Sequence, residues 1–243
     1  MSDPIIDVRD ATKTFGGLTA VDRVSFTVTR GEIFGIAGPN GSGKSTLFNL
    51  MTGIPYGPTN GEVRFNGERI DGRPPHAIAR SGLCRTFQKD AEFPDLSAIE
   101  TLQISAVYSG GQSAGQALEN ARRAIDRVQF DEARAHMPSS ELSVYEKKQL
   151  MIASALVSEP SVLMLDEPAS GLTKPEIERL DALLVDVNKS GVTILLIEHV
   201  LSLLLSVSER LLVLNQGAIL AEGLPADVVR DPAVAEAYLG GRD

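Results

Sequence analysis

One segment of the chain, residues 38–46, has the residue types and the spacing needed to hold a nucleoside triphosphate. It matches the pattern G-x-x-x-x-G-K-[ST] with the residues Gly38, Pro39, Asn40, Gly41, Ser42, Gly43, Lys44, Ser45 and Thr46. The glycines let the backbone curl so that successive N–H groups converge on phosphate oxygens. The Lys44 ammonium reaches the outer phosphates, and the Ser45 hydroxyl can bind Mg²⁺. The segment therefore predicts a phosphate loop.

A pair of carboxylates follows a second apolar run, residues 162–165. An aspartate at the carboxyl end of a buried strand, here Asp166, can hold Mg²⁺ beside a phosphate loop, usually through water. The next carboxylate, Glu167, can orient or deprotonate the attacking water. Alone, such a strand end is as often structural as functional. In a chain that also has a complete phosphate loop, this strand end supports triphosphate hydrolysis.

Two further polar side chains follow strand-like segments. Gln88, at the end of the string Arg85-Thr86-Phe87-Gln88, can bind Mg²⁺ or the attacking water through its amide oxygen. His199 comes after residues 193–197, which places it at the carboxyl edge of a sheet, near the outermost phosphate. A lone histidine is more often structural, but this one leads an apolar run at a strand end, which favours the functional interpretation.

Hydrophobic periodicity predicts the elements that position these residues. Short apolar or β-rich runs predict strands at residues 5–8, 25–28, 33–37, 61–70, 162–165 and 193–197. Helical spacing predicts helices at residues 46–51, within 97–156 and at 175–189. The early strands predict a small, partly antiparallel sheet beside the phosphate loop. The later strand–helix–strand alternation predicts a mostly parallel α/β core.

Length and composition limit the class of protein. A chain of 243 residues can form one sizeable core, with or without a smaller subdomain. The net charge of −9 argues against nucleic acid as the main partner, because binding to a phosphate backbone needs basic surface. Cys84 is the single cysteine, so a reducing compartment is expected. We also expect no signal peptide and no membrane span, because neither pattern is present.

With the string Leu142-Ser143-Val144-Tyr145-Glu146 added to these motifs, the chain resembles the nucleotide-binding subunit of ATP-binding-cassette (ABC) transporters over essentially its full length. The resemblance implies a P-loop NTPase (RecA-like) α/β core with an N-terminal antiparallel β subdomain and an inserted α-helical subdomain. It implies a single ABC ATPase domain over residues 1–243. Residues 1–90 and 157–243 would form the core and residues 91–156 the helical subdomain.

The resemblance also implies a role for each motif, with ATP as substrate and Mg²⁺ as its metal. It assigns residues 38–46 to the Walker A loop, Phe15 to the aromatic that stacks on adenine, Gln88 to the Q-loop, residues 142–146 to the signature motif, residues 162–167 to Walker B, residues 170–173 to the D-loop and His199 to the switch histidine. Phe15 could instead belong to the core. The metal would be held by Ser45, Gln88 and, through water, Asp166. Ser143 would contact the nucleotide of a partner subunit.

Within the family, several strings resemble the ATPases of branched-chain (hydrophobic) amino acid importers. They are Cys84-Arg85-Thr86-Phe87-Gln88, Leu195-Leu196-Ile197-Glu198-His199, Asn215-Gln216-Gly217 and Ala237-Tyr238-Leu239-Gly240. This resemblance implies a bacterial importer with a second ATPase subunit, transmembrane permease subunits and, indirectly, an external substrate-binding protein. The chain would be cytoplasmic and peripheral on the inner face of the cell membrane.

Other functions stay open at this point. Urea importers and lipopolysaccharide exporters share parts of the pattern. A soluble cassette ATPase acting on DNA or ribosomes is an alternative of another class, although the acidic balance and the lack of room for a long coiled-coil insertion weigh against it. A regulatory nucleotide binder is a third alternative, and the intact Glu167 and His199 weigh against it.

The helical segment between Gln88 and Leu142 is expected to face the permease, because the Q-loop joins the two subdomains in this family. Phe87, Phe93, Pro94 and Leu96 are candidates for receiving a coupling helix of the membrane subunit. Ordinary packing of a helical subdomain explains the same residues equally well.

The signature motif departs from the family pattern Leu-Ser-Gly-Gly-Gln. Val144 and Tyr145 replace the glycines, which the family needs for close backbone approach to the partner's phosphate. Ser143 is kept, and Glu146 in place of Gln is common in the family. Further departures are Gln149 and Ser154, where arginines are usual, and Thr173, where Asp is common.

These departures predict an asymmetric dimer. This chain's own Walker A, Gln88, Asp166, Glu167 and His199 are intact, so a partner with a normal signature completes a working site on them. The partner's nucleotide meets Val144 and Tyr145 instead, so that site turns over slowly. The departures favour a different ATPase as the partner, which gives a heterodimer with one hydrolytic site and one impaired site. Apart from them, the sequence leaves open whether the dimer is formed with a different ATPase or with a second copy.

Overall fold

This computed structural model describes residues 3–86, 93–110 and 112–239. Its strands are β1 (Ile6–Phe15), β2 (Leu18–Val28), β3 (Ile33–Ala37), β4 (Asn60–Phe65), β5 (Glu68–Arg69), β6 (Leu83–Arg85), β7 (Val162–Asp166), β8 (Thr193–Ile197), β9 (Arg210–Asn215) and β10 (Ala218–Gly223). Its helices are α1 (Lys44–Thr52), α2 (Pro75–Arg80), α3 (Ala98–Gly110), α4 (Ala114–Arg127), α5 (Glu132–Ala135), α6 (Val144–Leu156), α7 (Lys174–Lys189), α8 (Leu201–Val207), α9 (Pro225–Val228) and α10 (Pro232–Leu239). The strands predicted at residues 33–37 and 193–197 are confirmed.

The chain forms two units, residues 1–78 with 193–243 and residues 79–192. In the first unit, an antiparallel sheet has the strand order β2-β1-β4-β5. Ile6 pairs with Val28 of β2 and with Phe65 of β4. The end of β2 alternates buried apolar and exposed polar residues, as expected for a sheet with one face on the core. The early antiparallel sheet predicted from the sequence is confirmed.

Parallel strands form the second layer of the same unit. β3 lies between β9 and β8 and is parallel to both, with Ala37 opposite Val213 and Ile36 opposite Ile197. Every residue of β3 and β8 is buried. Strands covered on both faces need apolar side chains throughout, which explains why both are continuous apolar runs.

The second unit combines a strand pair with helices. β6 and β7 are parallel neighbours, with Leu83 opposite Val162 and Arg85 opposite Met164. α3, α4 and α6 pack against one another, and α4 turns a face of small residues inward: Ala117, Ala121 and Ala124. Small side chains allow close approach of helices. The boundary predicted for the helical subdomain, residues 91–156, stays a prediction.

Local hydrogen bonds set where these helices begin. A capping box precedes α3, since the Ser97 N–H and hydroxyl both donate to Oε2 of Glu100, at 2.8 and 2.7 Å. Thr173 and Glu176 form the same motif at the start of α7. Within the described ranges, no helix is long and apolar enough to cross a membrane.

Gly35, in the middle of β3, has no room for a methyl group. An added Cβ would lie 2.6 Å from Ser208 Oγ and 2.9 Å from Leu211 Cδ1. We expect Gly35→Ala to lower the free energy of unfolding by about 1–3 kcal/mol, because overpacking displaces its neighbours. Urea denaturation measures this change.

Gly17→Ala is the matched control, because no heavy atom lies within 4 Å of its added Cβ. It should stay within about 0.5 kcal/mol of the wild type. Equal effects of the two substitutions would contradict the packing described for β3.

Candidate active site

The phosphate loop leaves β3 and enters α1 through a backbone that requires glycine. Gly38, Gly41 and Gly43 have φ angles of 147°, 77° and 105°. An added Cβ would lie 2.3 Å from the carbonyl oxygen of Leu214 at Gly38, and 2.6 Å from that of Ala20 at Gly43. Both the dihedral angles and the close neighbours exclude larger residues. The curled loop predicted from the sequence is therefore present.

Lys44 lies inside this loop. Its side chain is buried, and Nζ donates hydrogen bonds to the carbonyl oxygens of Gly38 at 2.7 Å and Pro39 at 3.1 Å. Ser42 Oγ is also buried and has no hydrogen-bond partner among the residues the structure describes. A polar cradle of this kind, which offers an ammonium group and an unused hydroxyl, suits an anion with several oxygens.

The N-terminus of α1 adds a positive dipole end to the loop. Its N-cap is Gly43, which has no side chain to cap the first N–H groups, and the first turn of α1 contains no acidic residue. Ser45, in that turn, is exposed. An uncompensated helix N-terminus attracts anions. The loop and the helix therefore favour the same ligand, a phosphate chain.

His199 lies at the same edge of the strands as the phosphate loop. Since β3 and β8 are parallel neighbours, the residues after Ile36 and Ile197 leave at the same edge. Glu198 is buried, and its Oε2 accepts a hydrogen bond from the His199 N–H at 3.1 Å. His199 itself is exposed. His199 thus follows the carboxyl end of β8, as predicted, and its place near the outermost phosphate stays a prediction.

Phe15 is part of an aromatic cluster at the end of β1. Its ring meets the edge of the Tyr56 ring with centroids 5.0 Å apart, and Lys13 Nζ lies 5.3 Å from the Phe15 centroid and 4.5 Å from the Tyr56 centroid. Asn49 donates to the Tyr56 hydroxyl at 2.9 Å. Phe15 is 43% exposed as a whole residue, so it is not part of the core and is open to a stacking partner.

In the second unit, Asp166 and Glu167 follow the apolar residues of β7 as predicted. Asp166 is buried, and its Oδ2 accepts a hydrogen bond from Nη2 of Arg85 at 2.7 Å. Its other oxygen, Oδ1, is buried and has no hydrogen-bond partner within the described residues. Glu167 has a φ of 52°, an uncommon conformation for a residue with a side chain. Such backbone strain is concentrated at functional sites.

The signature segment forms an ordered helix start without its glycines. Ser143 is the N-cap of α6, its hydroxyl accepts the Glu146 N–H at 3.3 Å, and its own N–H donates to Oε2 of Glu146 at 2.7 Å. Arg134 donates to both carboxylate oxygens of Glu146, at 2.6 and 2.8 Å. These bonds lower the pKa of Glu146 to about 2, with Arg134 as the main cause. The Ser143 hydroxyl also bonds to the Glu146 carboxylate, which adds to the lowering of that pKa.

Val144 and Tyr145, which stand where the family has glycines, have side chains that lie beside neighbouring elements. Val144 is 48% exposed, and a Cβ on Gly171, in the predicted D-loop, would lie 3.6 Å from its Cγ1. The Tyr145 ring faces Arg179, whose guanidinium carbon lies 6.0 Å from the ring centroid. Gln149, one of the positions where the family usually has arginine, donates instead to the carbonyl oxygen of Val128 at 2.8 Å. The surface at the start of α6 is therefore bulkier than two glycines would leave it.

Two predicted residues, Phe87 and Gln88, lie outside the described residues. Of the other candidates for contact with a membrane subunit, Phe93 and Pro94 are exposed and Leu96 is half-buried. Ser139 Oγ donates to the Leu96 carbonyl oxygen at 2.9 Å, which holds this segment in place.

Sequence reasoning missed four residues that support the site: Lys13, Tyr56, Arg85 and Arg134. Arg85 lies in the string Cys84-Arg85-Thr86-Phe87-Gln88, which resembles the importer ATPases. A charged residue within a strand was the signal that could have identified it. Tyr56 and Arg134 carry no local signal, because their contacts join distant parts of the chain.

Comparison with known proteins agrees with this geometry. Residues 21–170 match the ABC transporter family, and residues 218–243 match the family of branched-chain amino acid ATP-binding cassette transporters. The chain is 39% identical to the high-affinity branched-chain amino acid transport ATP-binding protein BraF of Pseudomonas aeruginosa, over 99% of both chains. It is 37% identical to LivG of Escherichia coli (strain K12), described in the same words, also over 99% of both chains.

Solved structures have the same fold. A nucleotide-free ATP-binding cassette from an ABC transporter superposes with a TM-score of 0.89 at 29% identity, over 97% of this chain and 99% of that one. The ADP conformation of the cassette MJ1267 gives the same TM-score and identity, over 98% and 100%. A dimeric structure of the bacterial cassette MJ0796 gives a TM-score of 0.80 at 25% identity, over 90% and 98%.

The fold and the phosphate loop thus define an ATP-binding cassette, an enzyme that hydrolyses ATP to drive transport. The chain belongs to the ABC transporter family, and its C-terminal segment and nearly full-length relatives place it in the branched-chain amino acid branch. The α/β P-loop fold and the family predicted from the sequence are confirmed.

The Arg134–Glu146 pair generates a stability prediction. Because the folded-state pKa of Glu146 is about 2 and its ordinary value is 4.5, the pair stabilises fully above about pH 4.5 and loses its effect as pH falls towards 2. We expect Arg134→Met to cost about 1–2 kcal/mol at pH 7. Urea denaturation of both proteins from pH 7 to pH 3 should find this difference constant above pH 5 and smaller below pH 4.

Arg123→Met is the control, because Arg123 forms an exposed pair with Glu119 on α4. Its cost should stay within about 0.5 kcal/mol at each pH. A cost of Arg134→Met that does not change with pH would contradict the role of the Glu146 charge.

Proposed function

We propose that this chain is an ATPase subunit of a transporter that imports branched-chain or other hydrophobic amino acids. The relatives' names and the match of residues 218–243 support this substrate class. The observation that carries the nucleotide role is the phosphate loop, in which strained glycines, a buried lysine and an uncapped helix N-terminus come together. We propose that residues 38–46 bind the phosphates of ATP.

The residues proposed for Mg²⁺ fit that metal. Their donors are the Ser45 hydroxyl, the Gln88 amide oxygen and the Asp166 carboxylate, and Mg²⁺ prefers oxygen ligands. Oδ1 of Asp166 is a buried acceptor without a partner in the described part of the chain, which is the state expected of an oxygen that serves a cation or its water. When bound, Mg²⁺ would neutralise charge on the phosphate oxygens during phosphoryl transfer.

Glu167 and His199 are proposed to act on the attacking water and the outermost phosphate. Glu167 would accept the proton of the water or hold it in line. His199 would donate a hydrogen bond to the outermost phosphate, from the edge of the strands where the phosphate loop begins. Gln88 is proposed to bind the same water or the metal.

We propose that Phe15 stacks on the adenine ring, since its ring is exposed and is backed by Tyr56 and Lys13. Phe15→Leu should then weaken ATP binding about 5- to 10-fold, because base–aromatic stacking contributes at that level. Equilibrium titration should also find unchanged affinity for ribose triphosphate, which has no base.

Leu224→Ala, which changes another exposed apolar residue, should leave both affinities unchanged. An equal loss for ATP and ribose triphosphate would mean that Phe15 acts on the fold rather than on the base.

The proposed partners are a second ABC ATPase and transmembrane permease subunits, with a substrate-binding protein acting through the permease. The chain would then lie on the inner face of the cell membrane. Phe93 and Pro94 present apolar surface next to the segment that holds Gln88, which supports docking of a permease helix there. The asymmetry proposed next requires a heterodimer, because a second copy of this chain would bring the same altered signature segment to this chain's phosphate loop.

We propose that the two ATP sites of the dimer differ. Val144 and Tyr145 occupy the start of α6 with side chains, and Ser143 is kept as the residue of this motif proposed to contact a partner's phosphate. The site built on this chain's phosphate loop should hydrolyse ATP, and the site that receives this chain's signature segment should be slow.

The asymmetry predicts the effect of changing the catalytic carboxylate. Glu167→Gln in the assembled transporter should lower steady-state ATPase activity at least about 100-fold, because it removes the base of the working site. The exposed Glu178→Gln should leave the rate unchanged. The chain alone should stay well below about 1 s⁻¹, the lower end of common turnover numbers. A higher rate for the chain alone would contradict the asymmetry.

Restoring the glycines tests the second part of the proposal, the slow hydrolysis at the partner's site. In a transporter that already carries Glu167→Gln, adding Val144→Gly and Tyr145→Gly should raise the remaining ATPase activity, because the partner's site regains close contact with this helix. No increase in that background would mean that these side chains do not limit the partner's site.

A further inference from the structure

Arg85 and Asp166 form a buried ion pair to which none of the motif roles assigned so far gives a function. Nη2 of Arg85 lies 2.7 Å from Oδ2 of Asp166, and the two side chains are only 6% and 4% exposed. Arg85 ends β6, and Asp166 ends the neighbouring strand β7. The Thr86 N–H donates to the carbonyl oxygen of Met164 at 2.9 Å, so the strand pairing continues past Arg85 and fixes its backbone.

Stability alone does not explain this pair. Burying two charges carries a desolvation cost that their attraction often fails to recover, and apolar replacements of buried pairs are frequently as stable. The carboxylate in question is also the one proposed to serve Mg²⁺. A buried counter-charge on a metal-binding carboxylate orients it, as outer-shell partners of metal ligands commonly do.

We propose that Arg85 is a positioning residue for the metal-binding carboxylate: it holds Oδ2 of Asp166 so that Oδ1 is the oxygen offered to the hydrated cation. The inference rests on the proposed metal role of Asp166. Oδ2 is engaged by the guanidinium, and Oδ1 has no hydrogen-bond partner among the described residues. The two oxygens of one carboxylate therefore have separate tasks.

Loss of Arg85 has two opposed consequences for a cation. It removes a positive charge, which favours cation binding, and it releases the carboxylate, which disfavours it. Mg²⁺ requires near-ideal octahedral geometry and usually keeps several waters, so orientation has a large effect on its affinity. Removal of an outer-shell partner typically costs about 10- to 100-fold in metal affinity. Weaker binding is therefore expected.

The test titrates Mn²⁺ into the full chain saturated with a non-hydrolysable ATP analogue, with free Mn²⁺ followed by electron paramagnetic resonance. Arg85→Gln should raise the apparent Kd for Mn²⁺ about 10-fold or more, and Arg85→Lys, which keeps the charge, about 3-fold. Affinity for the analogue in EDTA should change less than about 2-fold, since the phosphate loop is untouched. Arg123→Gln, in an exposed pair, should change neither value.

An unchanged or lower Kd for Mn²⁺ in folded Arg85→Gln would overturn the inference. If Arg85→Gln does not fold, an unchanged or lower Kd for Mn²⁺ in Arg85→Lys would overturn the inference instead. Asp166→Asn separates the two proposals, because it should weaken Mn²⁺ binding at least as much as Arg85→Gln. Weakening by Asp166→Asn alone would overturn only the role of Arg85, whereas no weakening by Asp166→Asn would remove the metal role of Asp166 itself.

Discussion

The nucleotide chemistry of this chain depends on two places where the phosphate loop touches other backbone with no room for a Cβ. Gly38 is pressed against the carbonyl of Leu214 at the end of β9, and Gly43 against that of Ala20 in β2. The Gly217 N–H also donates to the Ser42 carbonyl oxygen at 3.0 Å. Both sheet layers of the first unit therefore hold the loop. This support keeps Lys44 buried and leaves the N-terminus of α1 open to an anion.

Much of the site could be predicted because its signals are local. The phosphate loop is one continuous pattern, and His199 follows an apolar strand that can be recognised in isolation. The parts that could not be predicted are contacts between distant segments. The Tyr56 ring packs against the ring of Phe15, which is far away in the sequence. Arg134, on α5, donates to the Glu146 carboxylate on α6. Periodicity shows which residues are buried or exposed, but it does not show which two distant side chains meet.

The altered signature segment is a stable replacement rather than a damaged copy of the family motif. The reciprocal bonds of Ser143 and Glu146 fix the start of α6, and Arg134 pairs with the Glu146 carboxylate. At the positions where the family has glycines, the Val144 side chain lies beside the Gly171 backbone and the Tyr145 ring faces Arg179. The chain thus keeps the residues proposed to act on its own nucleotide and differs from the family at those proposed to act on its partner's.

The proposed asymmetry requires that hydrolysis take place on this chain's phosphate loop and not on its partner's. Vanadate trapping of a photoreactive ATP in the assembled transporter tests it most directly, because vanadate locks nucleotide only at a site that has turned over. The trapped label should attach to this chain, with little on the partner ATPase. Equal labelling of both subunits, or labelling of the partner alone, would contradict it.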